Sequence, residues 1–331
     1  MNNAARGTSA GGTWTSKAPL PVAISEVGVG PVDGKIYVVG GTEQSGAATT
    51  LNMMYDPATG GWQERAPLPR TLHHVGVAEL GGKLYAIGGL TENVHMGPQN
   101  LALLYDPQTD RWSELPPLSI PRGSIAVAAF LGEIHIFGGR TSEKVVKVPL
   151  PGGTEMLVGM GTTTTHEIYD PAGGTWSQSE PLPGPPRDHT GIAVLDGKIH
   201  VFGGRIEDFS NLLDRHDVYD PETNTWTSAA PLPRPRSAGA FTVLNGLIIY
   251  AGGECKPGGQ PFTPNVFDDV SAYDPTTDTW TALTPLPQAR HAFGAATVAG
   301  VAYFAGGAPV CGGGASTSLL ALTLQQEHDH A

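Results

Sequence analysis

The 331-residue sequence predicts an all-β chain folded as a closed ring of six four-stranded sheets, and three observations carry that prediction. A Tyr-Asp-Pro turn followed by Trp occurs five times: YDPATGGW ends at Trp62, YDPQTDRW at Trp112, YDPAGGTW at Trp176, YDPETNTW at Trp226 and YDPTTDTW at Trp280. Six glycine pairs keep step with it, at Gly40-Gly41, Gly88-Gly89, Gly138-Gly139, Gly203-Gly204, Gly252-Gly253 and Gly306-Gly307. Glycine (45) and proline (29) are abundant without a collagen period while charged residues make up only 15%, which is the composition of a turn-rich folded chain.

Each element follows in order along the repeat. A Pro-rich PLP turn opens the unit, and a first strand such as VGVAEL ends at a GG or DG turn before Lys. The second strand (KIYVVGG, KLYAIGG, EIHIFGG, KIHVFGG) is short, glycine-flanked and rich in β-branched and aromatic residues, so strand is favoured over helix. After a loop comes a third strand such as LALLYD, then the Asp-Pro turn, where Asp bonds back to the backbone and Pro presets φ. Trp begins the fourth strand. Tyr and Trp therefore flank a hairpin turn, and their rings fill the space between neighbouring sheets. A period of about fifty residues with four short antiparallel strands is the signature of a β-propeller blade.

The sixth tryptophan, Trp14, has no Tyr-Asp-Pro before it, and the strand SLLALTL after the last Gly pair has no Trp behind it. The N-terminal strand is thus expected to complete the last blade, pairing an edge that would otherwise stay open. The predicted organisation is a flexible tail over 1–11, one propeller over 12–324 and a second tail over 325–331.

The repeat resembles the kelch family: a Gly pair after an apolar strand, a downstream Tyr, and Trp about six residues after Asp, over roughly 12–324. The resemblance implies a six-bladed propeller that binds ligands or proteins at one mouth of its channel. Bacterial sialic-acid mutarotases share that architecture and imply an alternative, a sugar-acid mutarotase or epimerase. A metal-dependent lyase is a further option. The iron-binding specifier proteins carry Glu, Asp and His at four-residue intervals, but in EDFSNLLDRH Leu212 stands between Asp208 and His216, so that iron site does not carry over. Nothing establishes the copper-linked Tyr-Cys arrangement of the galactose-oxidase relatives.

The formal charge of −12 argues against a nucleic-acid partner, and no apolar run reaches membrane-spanning length. The first dozen residues lack the basic start and apolar stretch of an export signal, giving a cytoplasmic expectation, although a chain already relieved of its signal would look the same. Against that acidity, six of twelve arginines fall at two repeat-equivalent positions. Arg122, Arg187, Arg236 and Arg290 sit at the lead-in to the first strands, with Ile24 and Leu72 in the other two blades, and Arg140 and Arg205 follow Gly pairs. An arginine-rich mouth suits an anionic small molecule or acidic peptide, since guanidinium forks match carboxylate and phosphate, and the alternative is that these arginines are structural pairs. Glu26, Glu43, Glu92, Asp208 and His291 join the same face. Glu207 and Glu254 are the proton-transfer candidates if the site is catalytic.

His73, His74 and His189 lie near first-strand starts, while His166 and His216 recur three residues before Tyr; packing is the commoner role for such histidines. Cys255 and Cys311 fall in the same loop class of adjacent blades, and three states fit them: free thiols, a disulfide, or a soft-metal site with His291. No cofactor is predicted, with a metal ion left open; the tail EHDHA could chelate one. The spacing from Trp112 to Trp176 is 64 residues, against 50 from Trp176 to Trp226, and the excess over 140–166 is read either as a lid, with Met156, Leu157, Val158 and Met160 over the mouth, or as a packed hairpin.

Overall fold

The apolar runs and Asp-Pro hairpins build six antiparallel sheets in a computed structural model that describes residues 11–93, 95–149 and 153–324. Each sheet reads from the axis outward. Blade I is Gly28–Val32, Lys35–Val39, Asn52–Asp56, Gly61–Glu64; blade II is Gly76–Leu80, Lys83–Ile87, Ala102–Asp106, Arg111–Glu114. Blade III is Ala126–Phe130, Glu133–Phe137, His166–Asp170, Thr175–Gln178; blade IV is Gly191–Leu195, Lys198–Phe202, His216–Asp220, Thr225–Ser228. Blade V is Ala240–Leu244, Leu247–Gly253, Phe267–Asp274, Thr279–Ala282. Blade VI is His291–Val298, Val301–Ala308, Leu319–Leu324 and, as its outer strand, Gly12–Ser16. The fold is therefore a six-bladed β-propeller closed by the N-terminal strand. Among the described residues there is no helix, so none long and apolar enough to cross a membrane. Both expected tails, bar Gly11, lie outside the described residues.

The repeated residues hold the blades together through directed contacts. Asp56, Asp106, Asp170, Asp220 and Asp274 each accept from the amide two residues on at 2.8–3.0 Å, closing the hairpin turn. That turn pairs Tyr with Trp across the strands, with ring centroids 4.9–5.2 Å apart. Each indole N–H then reaches the previous blade: Trp62 donates to the Ala18 carbonyl, Trp112 to Ala66, Trp176 to Pro116, Trp226 to Glu180 and Trp280 to Ala230. Trp14 does the same to Thr284 at 3.0 Å, opposite Leu322 and edge-on to Phe304.

The glycine pairs form the other seam. Both members have positive φ, and the second donates its amide to the lead-in carbonyl of the next blade, as Gly89 does to Arg122 and Gly307 to Ile24. A Cβ on Gly88 would lie 2.3 Å from the Arg122 carbonyl oxygen, and one on Gly252 would lie 2.3 Å from that of Arg290, so only glycine admits the approach. Apolar residues fill the wedges between sheets, such as Val32, Val39, Leu84 and Leu103 between blades I and II.

Two hairpins project from this face. In blade II, Leu90–Glu92 pairs with Met96–Pro98; in blade III, Arg140–Pro149 pairs with Glu155–Thr162. The second is laid against the first: the Ser142 hydroxyl donates to the His95 carbonyl, and a Cβ on Gly159 would meet that oxygen at 2.2 Å. The long segment after Gly139 is thus a packed hairpin, with Val158 buried and Leu157 pointing outward.

Candidate functional site

Two residues beyond each lead-in position the backbone turns left-handed, with φ of 51–56° at Glu26, His74, Ser124, His189, Ala238 and Ala292. This conformation aims each amide at the next blade. The result is a closed cycle of six backbone hydrogen bonds around the axis: Glu26 donates to the Ala292 carbonyl (2.7 Å), His74 to Glu26 (3.0 Å), Ser124 to His74 (3.0 Å), His189 to Ser124 (3.2 Å), Ala238 to His189 (3.0 Å) and Ala292 to Ala238 (2.9 Å). Four polar side chains and two methyl groups are thereby presented to a channel cavity of about 140 Å³, which continues among Val27, Val29, Val77, Val127, Phe241 and Ala295.

The four lead-in arginines do not reach this channel. Arg122 pairs with Glu167 at 2.7 Å and donates to the Gly138 and Thr165 carbonyls. Arg187 pairs with Asp217 at 2.5 Å, Arg236 donates to the Gly252 and Asp269 carbonyls and to Ser271, and Arg290 donates to the Gly306 carbonyl and to Gln288. All four are buried. Arg122 and Arg236 tie the lead-in segment to their blade's Gly pair and third-strand region, Arg187 to its third strand and Arg290 to its Gly pair, so the expected arginine-rich mouth is corrected at these positions to structural contacts, because a buried guanidinium must find acceptors.

Arg140 and Arg205 do stand above the ring, also buried. Arg140 Nε pairs with Asp188 at 2.6 Å, and its remaining nitrogens donate to the carbonyls of Gly159 (2.7 Å) and Glu207 (2.6 Å). Arg205 pairs with Glu254 and lies 3.4 Å from Asp188, while its Nη2 meets only ring nitrogens, His189 Nε2 at 3.2 Å and His95 Nε2 at 3.3 Å. Burial works against the Arg205 charge, but Glu254 and Asp188 hold its pKa above the ordinary value. Burial likewise pushes Glu254 up and Arg205 brings it below the usual value; Arg140, His189 and Arg205 together hold Asp188 well below the carboxylate range against the same burial. Of the two proton-transfer candidates, Glu254 is committed to this ion pair and Glu207 contributes its backbone carbonyl.

The histidines divide by role. His166 and His216 are packing residues: each bonds a carbonyl, of Glu180 or Ala230, at 3.1 Å and a second buried histidine, His135 at 3.1 Å or His200 at 2.8 Å. Among the described residues the other five, His73, His74, His95, His189 and His291, gather at the channel head. His73 Nε2 donates to the Glu92 carbonyl at 2.9 Å, which leaves its Nδ1 to accept from His74 Nδ1 at 2.6 Å. His189 Nδ1 donates to Asp188 at 2.7 Å, and His291 Nε2 donates to the Val310 carbonyl at 2.8 Å. Burial and His74 bring His73 to about 4, burial and Arg205 bring His189 to about 4, and burial with Arg140 takes His95 well below its ordinary value. Glu26 lies 2.9 Å from His74 Nε2, and although burial opposes it, that neighbour holds the carboxyl well below the usual range.

Cys255 and Cys311 form a disulfide with Cα atoms 5.0 Å apart, joining the loops of blades V and VI on this face; among the described residues no cysteine is free. The soft-metal reading of Cys255, Cys311 and His291 is overturned, since bonded sulfurs have no thiolate to offer. His95 and Asp188 escaped the sequence reading. His95 occupies the loop after a Gly pair, the class already singled out for Arg140 and Arg205, and Asp188 directly follows a lead-in arginine. Chemically, the head of the channel combines a close contact between Glu26 and His74, imidazole lone pairs and one guanidinium nitrogen without a carboxylate or carbonyl partner.

Residues 75–307 match the KLHDC2/KLHL20/DRC7 Kelch-repeats domain, and residues 23–69 match the Kelch motif. The chain is 30% identical over 311 residues to Kelch-like protein terF of Aspergillus terreus, covering 91% of this chain and 53% of terF. It is 28% identical over 156 residues to Kelch-like protein 40 of Xenopus tropicalis, covering 47% of this chain and 24% of that protein. It thus spans about half or less of the length of these relatives. The solved structure of YjhT superposes with a TM-score of 0.73 at 18% identity, covering 94% of this chain and 99% of that one, and shares the fold. With the repeat, the closed six-blade ring and the match over most of its length, the chain belongs to the kelch-repeat family.

Proposed function

We propose that the head of the channel binds a small molecule that presents an acceptor oxygen, from a carboxylate or carbonyl, to Arg205. The observation that carries this reading is the Arg205 Nη2 donor, which faces two imidazole nitrogens, while Nη1 pairs with Glu254, Nε stands 3.4 Å from Asp188 without a hydrogen bond, and the nitrogens of Arg140 are taken by Asp188 and by carbonyls. Enclosure supports a small ligand over an acidic peptide: the two hairpins stand on this face, and the adjoining channel cavity, which His189 lines and Arg205 does not, holds only about 140 Å³, near the size of benzene. A catalytic version of the site would move protons through Glu26 and His74, because those two titratable groups line the cavity and touch each other.

The test is a calorimetric screen of small mono- and dicarboxylates and their neutral carbonyl analogues against the parent and Arg205→Lys. Lysine keeps a cation beside Glu254 and removes the Nη2 donor. The expected result is an unchanged melting temperature with affinity weakened by about 1.5–3 kcal/mol, the scale of a charge-assisted hydrogen bond. Ligands that bind the two proteins equally, or no ligand in the series, would refute the reading.

A further inference from the structure

Three imidazoles meet edge-on above the hydrogen-bonded ring. The ring centroids of His74, His95 and His189 form a nearly equilateral triangle, 5.0, 5.0 and 5.2 Å on its sides, with interplanar angles of 76°, 83° and 81°. One ring nitrogen of each lies within 4.8 Å of one in each of the others. They come from separate sources: two left-handed ring positions in blades II and IV, and the turn of the blade II hairpin.

The hydrogen-bond network decides which nitrogens carry lone pairs. His189 gives its Nδ1 proton to Asp188, so Nε2 carries a lone pair, which accepts from Arg205 Nη2 at 3.2 Å and meets the Ser124 hydroxyl at 3.3 Å. His73 gives its Nε2 proton to the Glu92 carbonyl, so its Nδ1 accepts the Nδ1 proton of His74, and His74 Nε2 is bare. That bare nitrogen lies 2.9 Å from a carboxylate oxygen of Glu26 without the alignment of a hydrogen bond. Two acceptors at this distance repel unless a cation or an added proton lies between them, and His74 Nε2 indeed has no hydrogen-bond partner. The same holds for the buried His95 Nδ1. Charge points the same way: Arg140 and Arg205 face Glu26, Asp188 and Glu254, an excess of one carboxylate.

We infer that His74, His95 and His189, with Glu26 as a fourth ligand, bind one divalent first-row transition ion at the head of the channel. Three neutral imidazoles and a carboxylate are the donor set of such ions, and a carboxylate on the far nitrogen of a ligating histidine, as Asp188 is for His189, is the usual second support. The nitrogens must draw together by roughly 1 Å to reach bonds of about 2.1 Å. Once the ion takes the imidazole lone pairs, Arg205 Nη2 loses its weak partners and is left to a ligand oxygen beside the metal. The inference deepens the reading of this site, but its test uses no organic ligand, so the two fail separately.

The experiment uses the full chain carrying His328→Ala and His330→Ala, which removes the chelating tail. Zn²⁺ titration by calorimetry is expected to give one ion per chain with sub-micromolar affinity. Co²⁺ should give the intense visible bands of a four-coordinate nitrogen and oxygen site. His95→Ala in the same background should fold with the parent's circular dichroism, lose at least 100-fold in Zn²⁺ affinity and lose the Co²⁺ bands; Glu26→Gln should lose about 10- to 100-fold. If His95→Ala proves unstable, His95→Gln serves in its place. Absence of stoichiometric Zn²⁺ binding in the parent background, or equal binding and unchanged Co²⁺ spectra in the His95 variants, overturns the assignment.

Discussion

Replacing Trp14 tests the closure of the ring. The indole is half-buried, donates to the Thr284 carbonyl at 3.0 Å and stands edge-on to Phe304 at 5.1 Å. Trp14→Ala removes all three contributions. Burial of about half an aromatic ring contributes roughly 1–1.5 kcal/mol, the edge contact about 0.5–1.5 and the hydrogen bond about 0.5–1.5, giving a loss of about 2–4 kcal/mol. Trp14→Phe keeps a ring and discards the donor, so its loss should be about 1–2 kcal/mol. Urea denaturation followed by circular dichroism measures both. Hydrogen exchange locates the effect, because release of Gly12–Ser16 exposes the edge of Leu319–Leu324, whose amides should exchange faster in Trp14→Ala before global unfolding. A loss below about 0.5 kcal/mol for Trp14→Ala with unchanged exchange in Leu319–Leu324 would refute the claim that this strand and its Trp lock the propeller.

Two further outcomes follow from the seams and the buried histidines. Gly252→Ala should destabilise by more than about 2 kcal/mol in thermal unfolding, because its φ is +67° and the new methyl would lie 2.3 Å from the Arg290 carbonyl oxygen; Gly81→Ala, with φ of +63° and open space, should cost only about 1 kcal/mol, and equal costs would contradict the seam argument. The packing pairs His135 with His166 and His200 with His216 are pulled by burial from 6.5 to about 4, 3, 4 and 4, so the unfolded chain binds protons first. Their stabilisation is complete above about pH 6.5 and is lost as pH falls toward about 4, on the order of 1–2 kcal/mol per histidine by pH 5; His216→Gln should flatten the melting temperature between pH 7 and 5, and an undiminished slope would exclude this origin.

Much of the site was visible as a list of residues and little of it as an arrangement. Arg140, Arg205, Glu254, Glu26, His74, His189 and His291 all reach the channel head because they occupy loop positions that the repeat itself numbers. The repeat could not separate them from Arg122, Arg187, Arg236 and Arg290, which share its period but turn into the blade. The difference lies two residues further on, where a left-handed backbone redirects the chain to the axis, and Glu, His, Ser and Ala all occupy that conformation. His95 was hidden for another reason: it sits in an irregular turn brought to the site by a hairpin, with no equivalent in neighbouring blades from which to infer it.

The six blades, their strand order, the Tyr and Trp hairpins and the split last blade were determined by sequence alone, because they rest on local chemistry repeated at a fixed interval: turn formers, β-branched runs and glycines where only glycine fits. Which arginines are neutralised, which imidazole nitrogens are bare, and whether two cysteines meet were decided only by tertiary structure. Those properties belong to pairs and triads drawn from different blades, and a buried charge takes its character from the partner that desolvation compels it to find.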